Sequence, residues 1–205
     1  MRYTTIIADI VNSKEISNRE MFQDVLSNCL NEINQDSKHI ISPYTITLGD
    51  EFQVIYKNNN NLINDLFKIL LNSFLVKIRF SIGFGDISTK INYEQSIGMD
   101  GPAFHIAREG LNEMKSVDYS IIQVFSDLSQ DEKFINETLR LAMIMMSDWK
   151  KNTFVIFNEL LNNKSVNDIL PLLNISERAV YKIIKTNNLR EYVEYFKSLN
   201  NQICP

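Results

Sequence analysis

The chain has 205 residues, of which 44% are hydrophobic and 22% charged, with a formal net charge of −4. That suffices for one packed domain of ordinary size plus a small appendage. No apolar run approaches the ~20 residues needed to cross a bilayer, and Met1-Arg2-Tyr3 has no signal-peptide layout, so a cytoplasmic protein with no membrane partner is expected.

Two cysteines occur. Cys29 lies in a helix-like run with Leu26 and Leu30 and reads as a small buried hydrophobe, and Cys204 as a free thiol near the end. A structural disulfide is not expected in a reducing compartment. Charge is uneven. Residues 1–149 carry 13 Lys and Arg against 20 Asp and Glu; residues 150–205 carry 8 against 5. An acidic front argues against a nucleic-acid surface there unless metals intervene. The basic tail is the better place for phosphate backbones.

In chain order, Tyr3 to Ile10 is a nearly continuous apolar run, as a buried central strand should be. Asn12-Ser13-Lys14 is a polar loop, and Asn18 caps a helix to about Gln35 with Phe22, Leu26, Leu30 and Ile33 on one stripe. Pro43 to Leu48 and Phe52 to Tyr56 read as a hairpin around Gly49-Asp50-Glu51. Asn58 to Asn61 is a loop, and Leu62 to Phe74 a second helix. Val76 to Phe84 alternates Ile78, Phe80, Ile82 and Phe84 with Lys77, Arg79 and Ser81. Period two predicts a strand, with Arg79 on its outer face. Asp100-Gly101-Pro102 opens a helix through Met114, Tyr119 to Phe125 reads as a strand, and Glu132 to Trp149 as a helix with Met143, Met145 and Met146 in the core. His39 reads as a surface loop residue.

The first six elements follow the split-βαβ, ferredoxin-like order. That topology places the end of strand one and the hairpin tip on one rim of the sheet. From Lys150 onward the pattern is all-helical. Ser165 to Asp168 resembles a capping box, Asn174-Ile175 is a turn, and Ser176 caps a helix showing Arg178, Lys182 and Lys185 outward. This is a helix-turn-helix pattern, and its basic face is the candidate DNA contact. A last helix runs from Leu189 to Leu199. The fold class expected is therefore α+β: a ferredoxin-like domain over 1–149 and a small all-α helix-turn-helix domain over 150–205.

The chemistry centres on acids. Asp9 closes an apolar strand, and Asp50 and Glu51 sit side by side at a turn. Adjacent carboxylates repel unless something positive neutralises them, and hard oxygen donors suit Mg²⁺ or Mn²⁺. Asp9 and Asp50 are the expected metal ligands and catalytic acids. Glu51 is either a third ligand or a solvated turn residue. Asp100 and His105 at the start of the third helix are candidate nucleotide-binding residues; Asp100 otherwise only starts the helix, and His105 either donates to a phosphate or packs. Arg108, with a fork of donors suited to neutralising phosphate charge, is expected to bind phosphate and to act with Asp9 and Asp50 as a catalytic residue.

The blocks Ala8-Asp9-Ile10-Val11-Asn12-Ser13, Thr45-Ile46-Thr47-Leu48-Gly49-Asp50-Glu51-Phe52-Gln53 and Met99-Asp100-Gly101-Pro102-Ala103-Phe104-His105-Ile106-Ala107-Arg108-Glu109 resemble the SatD family across essentially the whole chain. The layout is also similar, more distantly, to the palm-type fold of class III nucleotidyl cyclases and GGDEF proteins. That resemblance implies Mg²⁺ or Mn²⁺ on Asp9, Asp50 and the Ile10 carbonyl. It further implies a nucleoside triphosphate held by Asn12, Ser13 and Lys14, with 3′-hydroxyl attack on the α-phosphate, and assembly as a homodimer. The sequence departs from it at Ile46, where adenine-reading cyclases carry a lysine, and at Leu48 and Val11 against GGDEF proteins. Arg108 falls one residue from the arginine place of the cyclases. The other readings are a nucleotide-sensing DNA-binding regulator in a stress response, and an adaptor whose tail docks protein.

Overall fold

The computed structural model describes residues 2–36, 38–47, 49–58, 61–74, 76–117, 121–126 and 131–203. Leu48 of the expected hairpin, Asn59 and Asn60 of the loop, Tyr119 and Ser120 of the expected strand, and Cys204 lie outside the described residues. The architecture is mixed α+β, with five strands in one sheet and eight α-helices among the described residues.

Strands β1 (Tyr3–Ile10), β2 (Ile40–Ile46), β3 (Glu51–Tyr56), β4 (Ile78–Gly85) and β5 (Ile122–Ser126) stand in the order β2-β3-β1-β4-β5. β1 is central and antiparallel to both neighbours; β5 joins parallel to β4. A helix follows β1, and the chain returns as a hairpin whose second arm, β3, inserts beside β1. Asp9 thereby pairs across the ladder with Glu51 on one side and Arg79 on the other.

Both faces of the sheet are covered. Ile6, Ala8 and Ile10 point into the main core beneath α1 (Arg19–Asp36) and α2 (Leu62–Asn72). Ile7, on the opposite face, packs on Ala107 and Leu111 of α3 (Pro102–Val117). α3 lies close because Gly83 has no side chain: a Cβ there would stand 2.6 Å from the Ala107 nitrogen and 2.7 Å from the Ala103 oxygen. Covering the second face overturns the expectation for Arg79. It is 7% exposed, not an outward surface residue, because α3 roofs the polar side of β4.

The sheet's open edge at β5 is closed by α4 (Glu132–Met146), whose Asn136 side chain accepts from the Val124 N–H and donates to its carbonyl, both at 2.8 Å. At the other edge, Ser42 of β2 donates to the Asn92 carbonyl at 2.6 Å. α4 buries Met143 and Met146, but Met145 is 60% exposed, since it falls on the solvent side of the helix. Cys29 is buried as expected, and burial pushes its thiol up to about 11. His39 is half-buried, its carbonyl taking the Lys57 N–H at 2.7 Å.

The C-terminal helices are α5 (Lys151–Leu161), α6 (Val166–Ile169), α7 (Glu177–Thr186) and α8 (Leu189–Gln202). Ser165 and Asp168 form the expected capping box, and the Ser176 side chain accepts from the Ala179 N–H. These helices pack on α2. Phe67 meets Phe157 and Phe196 edge-on, with ring centroids 4.9 and 4.6 Å apart. The Asn200 side chain accepts the Ile63 N–H, one of the donors a helix start leaves open. A single hydrophobic cluster therefore runs across the junction expected near residue 149. No helix of the described residues is long and apolar enough to cross a membrane.

Candidate functional site at the sheet rim

The rim gathers the end of β1, the β2–β3 turn and the last turns of α3. Gly49 makes the turn with φ +59, a left-handed conformation that glycine adopts without a Cβ penalty. The Ile10 N–H donates to the Asp50 carbonyl at 2.9 Å, so the hairpin tip does lie beside the end of β1. Asn12 takes a left-handed turn (φ 53) into a 3-10 turn at Ser13–Glu15, leaving Asn12 and Lys14 exposed and Ser13 buried.

The side chains divide into two groups. The Asp50 carboxylate accepts from the Ser13 hydroxyl at 2.9 Å. Asp9 and Glu51 face α3 instead. Arg79 donates to Asp9 Oδ2 at 3.2 Å, and Arg108 to Glu51 Oε2 at 2.7 Å. Lys115 Nζ lies 3.1 Å from Asp9 Oδ1 and 3.1 Å from Glu51 Oε1. Each oxygen of both carboxylates thus has a cationic partner. Glu51 is neither a solvated turn residue nor exposed; it begins β3 and is buried.

Burial pulls the Glu51 carboxyl upward, but hydrogen bonds and charge from Arg108 and Lys115 outweigh it and hold it below the usual range. Burial likewise pulls the Lys115 ammonium down, while Glu51 and Asp9 raise it further and keep it charged. Three cations surround two acids, so the cluster carries an excess positive charge. Arg108 and Lys115 reach solvent, with side chains 41% and 37% exposed, whereas Arg79 does not.

These donors do not fit a divalent ion as they are arranged. Among the described residues, no three His, Cys, Asp or Glu side chains gather into a set that could hold a metal. The lone pairs of Asp9 and Glu51 that a metal would use are directed at nitrogen. His105 is exposed, neither packed nor free: its Nε2 lies 2.6 Å from Asp100 Oδ1, and this bond with the Gly101 N–H holds the Asp100 carboxyl below its ordinary range. Asp100 and His105 thus pair with each other at the start of α3. Arg178, Lys182 and Lys185 all lie exposed on α7, beside exposed Tyr181.

Arg79 and Lys115 are the two members of the cluster that sequence reasoning missed. Helix α3 extends to Val117, one turn beyond the expected Met114, and that turn carries Lys115. The seven-residue step from Arg108 to Lys115 was the available signal, since it returns a helix to the same face.

The molecule is thus an α+β protein whose sheet rim holds a five-membered ionic cluster and whose core continues into a C-terminal set of helices. The family model for the SatD family matches residues 3–201, and the chain belongs to that family. No curated protein matches it at a significant level.

Proposed function

We propose that the rim binds a nucleoside triphosphate through Arg108 and Lys115, and that the C-terminal helices contact double-stranded DNA, making the protein a nucleotide-sensing regulator. One observation carries the reading: two half-exposed cations, Arg108 and Lys115, stand side by side at a rim shared with the Asn12–Lys14 turn. A phosphate competes with Asp9 and Glu51 for those two cations. The strand order β2-β3-β1-β4 is the one a ferredoxin-like, palm-type domain needs, and the choice of a nucleotide rests on that likeness. We treat 1–149 as the ligand-binding part and 150–205 as a helix-turn-helix part that the shared aromatic core couples to it.

In equilibrium dialysis with each of the four ribonucleoside triphosphates, at least one is expected to bind in the presence of EDTA. Arg108→Ala should weaken it by roughly tenfold, the worth of a charge-assisted phosphate contact. No retention of any triphosphate, with or without Mn²⁺, would remove the reading.

A second reading, a nucleotidyl cyclase or nucleotidyltransferase using Mg²⁺ or Mn²⁺ on Asp9 and Asp50, draws on the Ile10–Asp50 backbone bond that brings those two segments together, and it requires Arg79 and Lys115 to give up Asp9 and Ser13 to give up Asp50. Mn²⁺-dependent pyrophosphate release, abolished in Asp50→Asn, would favour it over sensing.

For DNA, the three basic residues recur at positions 178, 182 and 185 of one exposed helix face. A gel shift with upstream DNA should weaken with salt. Replacing Arg178, Lys182 and Lys185 by alanine should flatten the log–log salt dependence by about 3, close to one for each phosphate no longer neutralised. An unchanged slope would instead favour a protein-docking role for this face.

A further inference from the structure

Lys115 occupies a particular place. Arg79 takes Asp9 Oδ2 and Arg108 takes Glu51 Oε2. The two oxygens left over, Asp9 Oδ1 and Glu51 Oε1, come from neighbouring strands paired directly across the ladder. The Lys115 ammonium bridges that remaining pair, 3.1 Å from each. Bridging two carboxylate oxygens is the task a divalent ion performs where acids from adjacent strands converge.

We propose that Lys115 is a tethered counter-cation that takes the place of a divalent ion between Asp9 and Glu51 and keeps free metal ions off them. The chemistry suits the role. An ammonium is a compact point charge on a flexible four-carbon stem, so it fills an ion-sized gap between oxygens and can be drawn away. Its attachment to α3 gives it a high effective concentration at the carboxylates, against which a free ion must compete. Removing the ammonium uncovers two carboxylate oxygens while both arginines remain on the outer ones.

The test uses Mn²⁺ alone, so it does not depend on nucleotide binding. Free Mn²⁺ is followed by electron paramagnetic resonance in titrations of the full chain. Lys115→Met should bind one Mn²⁺ roughly tenfold tighter than the wild type, the direction set by deleting a positive charge at contact distance. Lys115→Arg, which keeps the charge, should stay as weak as the wild type. Adding Glu51→Gln to Lys115→Met should abolish the gain. In parallel, millimolar Mn²⁺ should leave the melting temperature of the wild-type chain unmoved. Equal affinity in wild type and Lys115→Met would overturn the proposal. So would tight binding by Lys115→Arg, or a Mn²⁺-induced rise in wild-type melting temperature that Glu51→Gln removes.

Discussion

Asp9→Asn should lower stability by roughly 1–3 kcal/mol, because the buried Arg79 guanidinium loses its ion pair with Asp9 while keeping its other interactions. The substitution keeps the shape, removes the charge and turns one acceptor oxygen into an NH₂ donor, so no cavity contributes. Lys115 can turn to water when Asp9 is neutralised, because more than a third of its side chain is exposed. Arg79 cannot. Its side chain is 8% exposed, and its backbone is fixed in the ladder opposite Asp9 beneath α3. Urea unfolding of wild type and variant, compared through midpoint and slope, measures the loss. The double change Asp9→Leu with Arg79→Met should recover most of it, since well-packed apolar residues often replace a buried ion pair at little cost. A loss under about 1 kcal/mol would mean the pair is hydrated and behaves as a surface bridge.

This charged cluster shows where the sequence was informative and where it was not. The strand and helix order follows from periodicity, and β1 matches its apolar run from Tyr3 to Ile10. The same periodicity misplaces Arg79. Alternation of Arg79 and Ser81 with Phe80 and Ile82 reads as one wet face, which holds for a sheet covered on one side. Here α3 covers the other side, and the clue was composition: Gly83 in the strand, and Ala103 and Ala107 spaced four apart on the helix. Asp9 and Glu51 stood out as acids beside apolar runs. Their neutralisers did not, because Arg79 and Lys115 come from elements far along the chain and meet them only through the fold. Acids alone point to a metal; the cations that answer them are brought there only by the fold. On the C-terminal side, Ser165, Asp168 and Ser176 gave the helix starts correctly because capping is local chemistry. That Phe154, Phe157 and Phe196 would close on Phe67 of α2 has no comparable local signature.

A second acid, Asp65, should make stability fall as pH rises through the weakly acidic range. It lies on α2 at the end of a buried chain: Tyr44 and Tyr56 hydroxyls are 3.1 Å apart, and the Tyr56 hydroxyl donates to Asp65 Oδ2 at 2.6 Å. Burial moves its carboxyl from the ordinary 3.8 to about 6, with the Tyr56 bond and Lys68 offsetting only part of the shift. The sign follows from proton counts. Between about pH 4 and pH 6 the folded chain keeps this proton and the unfolded chain has released it, so stability declines with rising pH. A rise of that size corresponds to about 3 kcal/mol, complete near neutrality. Other carboxylates titrate in the same window with the opposite sign, so the wild-type curve alone does not isolate the effect. The difference between wild type and Asp65→Asn does. An amide keeps an acceptor for Tyr56 and carries no charge to desolvate. The variant should match the wild type near pH 4 and exceed it by up to about 3 kcal/mol at pH 7, measured by urea unfolding across the range. Parallel stability curves for the two proteins would show that Asp65 is solvated enough to ionise at its ordinary value.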